Sequence, residues 1–416
     1  MSTPSPTISH PLAVALALSL GAAVALGLSR FSYGLLLPPM RDDLGWSYLL
    51  AGAMNTCNAL GYFLGALATP ALLRRMGTWR LLMAGSVLAS IFMLLSGFVS
   101  DTTALFLQRV CAGAASAFVF VAGGVLAARL GSLQGERAGF IIGLYYGGTG
   151  FGIALSALLV PAALSSAQQH GAAHGWQSAW LALGIACLLA TALMALPAKS
   201  IGEARLMQGQ AQRFSSKDFA CGLAAYFMFG AGYIGYMTFV VALLKQQGMS
   251  PQLITVFYTL LGLAVVASSR IWARMLDRNK GGQSLAILNA LLGVATLIPA
   301  LTSAAPLIFL SGLVFGAVFL SVVASTTALV RHNLPPESWP AGISAFTAVF
   351  AFGQIAGPVL VGWIADGPAG LERGLVASSV LLLIGAALAM GQKALVFSNA
   401  GIAASSQVYG KDKNRH

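Results

Sequence analysis

The sequence predicts an all-α membrane protein, with twelve transmembrane helices arranged as two pseudo-symmetric six-helix halves. Three observations carry this. Of 416 residues, 57% are hydrophobic and only 8% charged, with a mean hydropathy of +0.81. The apolar residues fall into twelve runs, each long enough to cross a bilayer. The second half of the chain repeats the first at one constant offset.

A soluble domain carries about 25% charged residues, because a globular surface in water needs polar cover. Lipid is the solvent that tolerates this composition. The 48 glycines suit it as well, since Gly is commoner in membrane helices than in soluble ones. A span needs about 20 apolar residues to cross a hydrocarbon core about 30 Å thick. Between polar breaks, the runs lie at 12–37, 47–72, 79–99, 103–128, 138–163, 178–197, 218–243, 252–273, 283–303, 305–330, 341–365 and 373–392. The longest break contains Lys199, Arg205, Arg213 and Lys217 and divides the runs six and six. The expected organisation is an N-terminal half over 1–197, a linker over 198–217, a C-terminal half over 218–396 and a disordered tail over 397–416. The opening MSTPSPTISH lacks the basic region of a signal peptide, so the first run reads as a retained helix.

Twelve spans place both termini on one side. With that side cytoplasmic, the inner loops hold 18 Lys and Arg and the outer loops hold three, Arg41, Lys245 and Arg373. Such an asymmetry orients a membrane protein with its basic loops inside, which predicts cytoplasmic termini in a bacterial inner membrane. It also accounts for the net charge of +12 without a nucleic-acid partner. The four cysteines, Cys57, Cys111, Cys187 and Cys221, sit in apolar runs without metal-ligand spacing and read as helix-packing residues.

At an offset of 203 residues, Gly27 falls on Gly230, Tyr33 on Tyr236, Gly45 on Gly248 and Ser47 on Ser250. Further along, Arg75 falls on Arg278, Gly113 on Gly316, Gly139 on Gly342 and Gly150 on Gly353. Two parallel six-helix repeats are the arrangement expected for alternating access around a site at the half–half interface.

This six-plus-six pattern resembles the major facilitator superfamily over about residues 11–396, and local motifs add to it. Asp277-Arg278 before Gly281 resembles the superfamily's acidic–basic–glycine loop. Its counterpart, Arg74-Arg75-Met76-Gly77, has Arg74 where the pattern has Asp. Arg109, four residues before Gly113, resembles the superfamily's membrane-embedded arginine motif. Gly353-Gln354-Ile355-Ala356-Gly357-Pro358 resembles its glycine–proline motif, of which the fifth span keeps Gly150 and Gly152 without the proline. RFSYGLLLPPMRDDLGWS (30–47) looks like a mostly uncharacterised bacterial subfamily. The resemblance implies a secondary transporter, with Arg75, Asp277, Arg278, Gly150, Gly353, Gly357 and Pro358 as gating or conformational positions. The glycine pairs equally permit close helix packing.

Arg30 and Arg109 are the two clear intramembrane charges. Each costs at least about 2.5–3.5 kcal/mol at a helix centre. Counting along the spans, both lie roughly 10 Å below the outer surface at about 1.5 Å per residue. All eleven acids lie in loops or at helix ends. Arginine does not deprotonate in proteins, so a carboxylate or phosphate ligand would supply the missing counter-charge. The alternatives are bonding to backbone carbonyls, reaching out to Asp42 or Asp43, or helix packing. Tyr33 is one turn from Arg30, and Tyr233 and Tyr236 are the repeat mates of Arg30 and Tyr33. With Tyr145, Asn58 and Gln354 they complete the candidate substrate-binding set, although each Tyr could be ordinary packing and Asn58 an interhelical hydrogen bond.

No His or acid lies mid-span, so no standard proton relay is expected. The substrate could carry its own proton, two anions could exchange, or a helix-end carboxylate such as Asp366 or Asp218 could titrate. There is no phosphate loop, nucleophile triad or metal cluster, so no enzyme activity, cofactor or metal is expected. The leading expectation is a monomeric carrier of a small organic anion, with protons or a counter-anion as the coupling partner. The alternative is a proton-coupled exporter of amphipathic or cationic compounds.

Overall fold

The computed structural model describes residues 10–202, 214–335, 338–368 and 370–395. All twelve expected spans are helices: α1 (Pro11–Leu44), α2 (Tyr48–Met76), α3 (Thr78–Ser96), α4 (Thr102–Ser132), α5 (Ala138–Gln169), α6 (Gly175–Ser200), α7 (Ala220–Gln246), α8 (Pro251–Ile271), α9 (Gln283–Leu301), α10 (Ala305–Asn333), α11 (Trp339–Ala365) and α12 (Gly370–Met390). Several outrun their apolar stretch. α1 continues past the expected residue 37 to Leu44, and α5 past 163 to Gln169, because hydropathy marks where lipid ends, not where the backbone stops being helical. Residues 203–213 of the expected linker and all of the expected tail lie outside the described residues.

The repeat recurs in local chemistry. Gly45 and Gly248, 203 residues apart, both take left-handed backbone (φ 65° and 81°) to end a helix, a conformation in which other residues pay for their Cβ. Two residues later Ser47 and Ser250 each cap the next helix, accepting from the N–H of Leu50 (3.2 Å) and Leu253 (3.4 Å). Gly113 of α4 packs on the carbonyl of Asn58 in α2, and its mate Gly316 of α10 packs on the carbonyl of Leu261 in α8. Asn58 and Leu261 are again 203 apart. The two halves therefore repeat at the level of single backbone contacts.

Within the N-terminal half α4 packs on α2 and α3, α3 on α6, and α1 on α5. Within the C-terminal half α12 packs on α7 and α9, α11 on α7, and α10 on α8 and α9. The halves meet along α2–α11, α5–α8 and α1–α7. Large side chains such as Leu67, Leu107, Leu193, Leu196 and Trp363 face outward. On a soluble protein that apolar belt would mark an interface; on twelve spans it is the lipid-facing surface. Cys187 is buried and donates to Met93 Sδ (3.7 Å), whereas Cys111 is exposed on α4.

We call the end of the bundle where the described chain starts and finishes basal, and the opposite end apical. Apically, Asp366 at the end of α11 accepts from the N–H groups of Tyr48 (2.6 Å) and Leu49 (2.9 Å). A carboxylate from one half thus caps the first turn of a helix in the other, where free donors and the helix dipole favour negative charge. Lys245 pairs with Asp42 (2.9 Å), and Arg41 lies 4.0 Å from the Tyr48 ring centroid. Deeper, Asn55 donates to Thr238 (2.7 Å), Thr56 to the Ile355 carbonyl (2.8 Å), and Tyr258 to the Phe31 carbonyl (2.7 Å). At the basal end Arg270 sits 4.6 Å from the Phe140 ring centroid. Among the described residues no hydrogen bond or ion pair joins the halves there.

The Asp366 bonds join the two halves at the apical end. Asp366→Ala is therefore expected to loosen that end without unfolding the protein. Spin labels at the exposed positions Thr103 and Ser303, in a variant lacking the native cysteines, should report a longer apical distance or a broader distribution. An unchanged distribution would show that the cap carries none of the closure.

Candidate functional site

Residues Ala23–Phe31 of α1 are wound as a π-helix. One cause is the crossing with α5. A Cβ on Gly27 would lie 2.5 Å from the Gly152 Cα, and Gly148 abuts the Ser19 carbonyl, so backbone meets backbone. π-Helical turns are rare and occur mostly at functional sites. Here the widened stretch ends in Ser29, Arg30 and Phe31. Its irregular carbonyls are taken by side chains: Arg109 Nη1 donates to Ser29 (2.7 Å), and Tyr258 of the other half donates to Phe31. Ser29 Oγ also bonds Ser116 Oγ of α4 (2.9 Å).

The two arginines occupy different environments. Both are essentially fully buried (2% and 1% exposed). Arg109 bonds the Ser29 carbonyl and lies between aromatic faces, 5.5 Å from the Tyr33 centroid and 5.3 Å from that of Trp180. Such cation–π contacts are worth about 0.5–2 kcal/mol. Arg30 has the Tyr62 ring at 5.7 Å; Nε and Nη2 of both arginines are buried without an acceptor, and Arg109 differs in the bond its Nη1 makes. The expected alternative of a reach to Asp42 or Asp43 does not occur. Asp42 is taken by Arg41 and Lys245, and Asp43 accepts from His174 (2.7 Å) and Trp176 (2.5 Å). No acid appears among the described buried polar residues.

Across the interface, α7 lines up Tyr226, Phe229, Tyr233 and Tyr236, all buried. The Tyr233 ring stacks with Phe229 (4.8 Å), Phe350 (5.7 Å) and Phe319 (5.9 Å), with interplanar angles of 20° or less. Gln354 donates to the Tyr233 hydroxyl. Phe31, next to Arg30, sets its ring edge-on to Phe319 at 5.7 Å, and Arg30 itself lies over the Tyr62 ring. An N-terminal cation thus adjoins a C-terminal aromatic wall.

Of the expected binding residues, Arg30, Tyr233 and Gln354 come together here. The others are engaged in packing. The Tyr33 hydroxyl donates to the Ala51 carbonyl (2.7 Å), and its ring lies by Arg109 rather than Arg30, because the π-turn rotates it off Arg30's face. Tyr145 donates to the Phe120 carbonyl (2.9 Å), Tyr236 bonds Ser311 (2.8 Å), and Asn58 donates to the Arg109 carbonyl (3.3 Å). Sequence reasoning missed Tyr62, Phe229, Phe319 and Phe350, although Tyr226, Phe229, Tyr233 and Tyr236 at helical spacing were a readable stripe.

The expected gating positions divide in two. Gly150 crosses against Gly262 of α8, and the Pro358 carbonyl meets Gly52 of α2, both between halves. Gly353 and Gly357 instead pack on the carbonyls of Phe227 and Ala231 inside the C-terminal half, where a Cβ on Gly353 would lie 2.5 Å from the Phe227 oxygen. Arg75, Asp277 and Arg278 are exposed, and none makes an ion pair among the described residues.

A family model described as "Uncharacterised MFS-type transporter YbfB" matches residues 22–390. Among solved structures, a bacterial homologue of the human lysosomal transporter Spinster, in an inward-facing and unoccupied conformation, aligns with a TM-score of 0.68 at 16% identity. It covers 93% of this chain and 97% of its own. The peptide-transporter structure PepTSo2, a tetramer, gives a TM-score of 0.69 at 14% identity over 92% and 96%. The nucleoside transporter NupG gives 0.63 at 13% over 92% and 98%. At these identities the likeness is one of fold. The family model spans nearly the whole twelve-helix bundle, and the chain accordingly belongs to the YbfB type of the major facilitator superfamily: it is a multi-pass secondary transporter and not an enzyme.

Proposed function

We propose that this transporter carries a small organic anion of the carboxylate type across the bacterial inner membrane, with the halves 1–197 and 218–396 moving around a site at Arg30. The observation that carries this reading is the pair of buried Arg30 nitrogens without a protein acceptor. Guanidinium keeps its charge at any physiological pH, and the carboxylate is the partner its planar fork fits. Arg109 leaves the same two nitrogens unpaired but is the weaker candidate, since the Ser29 carbonyl already holds its Nη1. The excess of basic residues in the inner loops supports cytoplasmic termini and a cytoplasmic linker 198–217. In that orientation the apical contacts lie on the outer side, which supports an inward-facing reading. Both described buried charges are positive, which disfavours a cationic cargo and hence the exporter reading. Absence of a buried acid among the described residues favours coupling through the substrate's own proton or through anion exchange.

The test is a thermal-shift panel of organic anions, cations and neutral solutes on purified protein, with Arg30→Ala in parallel. A ligand at 100 times its dissociation constant stabilises by about 2.7 kcal/mol. Carboxylates are expected to shift the wild type and not the variant. Stabilisation by cations alone, or an equal response from Arg30→Ala, would remove the anion reading.

A further inference from the structure

The wall facing Arg30 has a composition that selects among anions. Building on the assignment of Arg30 as the anion site, we infer that the substrate is an aromatic monocarboxylate, its carboxylate shared between Arg30 and the Tyr233 hydroxyl and its ring lying along the aromatic wall of the C-terminal half.

Three features lead there. The first is charge. Both buried guanidinium groups leave Nε and Nη2 without an acceptor, but Arg109 is held at Nη1 by the Ser29 carbonyl and flanked by the rings of Tyr33 and Trp180 in its own half. Arg30 is the guanidinium next to Phe31, which meets the wall at Phe319, and one fork there matches one carboxylate.

The second is the direction of the Tyr233 bond. Its oxygen accepts from Gln354 Nε2, so its own hydrogen is left to donate. A phenol has one donor, and Phe31, next to Arg30, meets Phe319, which stacks on Tyr233. A carboxylate between Arg30 and Tyr233 would accept from α1 of one half and α7 of the other. The ligand would then bridge the two bodies that must move together during transport.

The third is what the wall lacks. Tyr236 is bonded to Ser311, so its polar end is occupied. What remains is ring surface: Tyr226 lies 4.9 Å from Phe350, Phe229 5.4 Å from Phe350, and Phe315 5.9 Å from Phe319, all nearly parallel. Phe350 is half-buried, as is Tyr62 on the opposite side. A sugar acid would bring several hydroxyls to surfaces with few groups to receive them. A flat ring would extend the offset stack already there. Ligand pockets commonly pair apolar walls with a few placed polar groups in this way.

The experiment compares binding of phenylacetate, cyclohexylacetate, phenylacetamide, succinate and gluconate to the purified full-length chain by isothermal titration. The proteins are the wild type, Tyr233→Phe, Phe350→Leu and Phe319→Leu, with circular dichroism melts reporting folding. Phenylacetate is expected to bind about tenfold or more tighter than cyclohexylacetate, and succinate and gluconate should be weaker still. Tyr233→Phe should weaken phenylacetate by roughly three- to tenfold. Either Phe→Leu variant should bring phenylacetate toward cyclohexylacetate and leave the latter unchanged; two positions guard against one variant misfolding. Equal binding of phenylacetate and cyclohexylacetate overturns the aromatic class and leaves the anion carrier intact. Phenylacetamide binding as well as phenylacetate overturns the anion carrier itself. No binding of phenylacetate at 10 mM while succinate or gluconate binds also overturns the inference.

Discussion

Arg30→Met is expected to raise the melting temperature of the ligand-free protein and to abolish transport, whereas Arg109→Met is expected to lower it. The opposite signs follow from the partners. Burying an ion costs several kcal/mol after relaxation, and at Arg30 no acceptor for Nε or Nη2 offsets that cost. Replacement of poorly compensated buried ions by apolar residues of similar volume is neutral or stabilising, by about 1–4 kcal/mol. Arg109 pays the same desolvation and leaves the same two nitrogens unpaired, but its Nη1 returns a charged hydrogen bond to Ser29 and its guanidinium two cation–π contacts. The bond is worth about 1.5–3 kcal/mol, and its removal leaves a buried carbonyl at the end of the π-helical stretch short of a partner. A residue whose removal stabilises the empty protein while ending its activity is retained for its ligand, a trade-off common at binding sites. Thermal melts without ligand, together with counterflow in proteoliposomes, read both quantities. A fall in stability for Arg30→Met equal to that for Arg109→Met would make Arg30 a structural residue, and the anion assignment would lose its basis.

The sequence made some of this site legible and hid the rest for identifiable reasons. Span number and repeat were readable because lipid and helix period act on every residue. Gly45 and Gly248, Ser47 and Ser250, and Gly113 and Gly316 each keep one local job in both halves. Arg30 was singled out because an uncompensated charge in a span is costly wherever its neighbours lie. The division of labour between Arg30 and Arg109 was hidden, since the partner of Arg109 is a backbone carbonyl, and every residue has one. Tyr33 was expected beside Arg30 by α-helical spacing. The π-turn that moves it depends on the glycine crossing with α5, more than a hundred residues along the chain. Tyr62 and Phe350 are aromatic residues in aromatic-rich spans. Their half-buried positions depend on how the helices meet, which no local pattern encodes.

Gly52→Leu is expected to hold the apical end open and to reduce transport severely, where Gly353→Leu is expected to impair folding instead. Both glycines press on a backbone carbonyl, Gly52 on that of Pro358 and Gly353 on that of Phe227. Backbone cannot swing aside as a flexible side chain can. The difference is which bodies the contact joins. Phe227 and Gly353 lie in the same half, so overpacking there, at about 1–3 kcal/mol or more, is present in every conformation and lowers stability as a whole. Gly52 and Pro358 lie in opposite halves at the apical side of α2 and α11. There the clash exists only while that side is closed, and it vanishes when the halves part. A penalty of about 1–3 kcal/mol confined to one state shifts its population by about 5–150-fold, which suffices to strand a carrier on one side of its cycle. The fold itself should survive, because Leu is the better helix former by about 0.8 kcal/mol. Distances between spin labels at Thr103 and Ser303, apically, and at Arg80 and Lys280, basally, should move in opposite directions in Gly52→Leu: longer at the first pair, shorter at the second. If both stay as in the wild type while transport falls, the α2–α11 contact is not part of the moving interface, and the rocking of two halves around Arg30 would have to be replaced by motion within one of them.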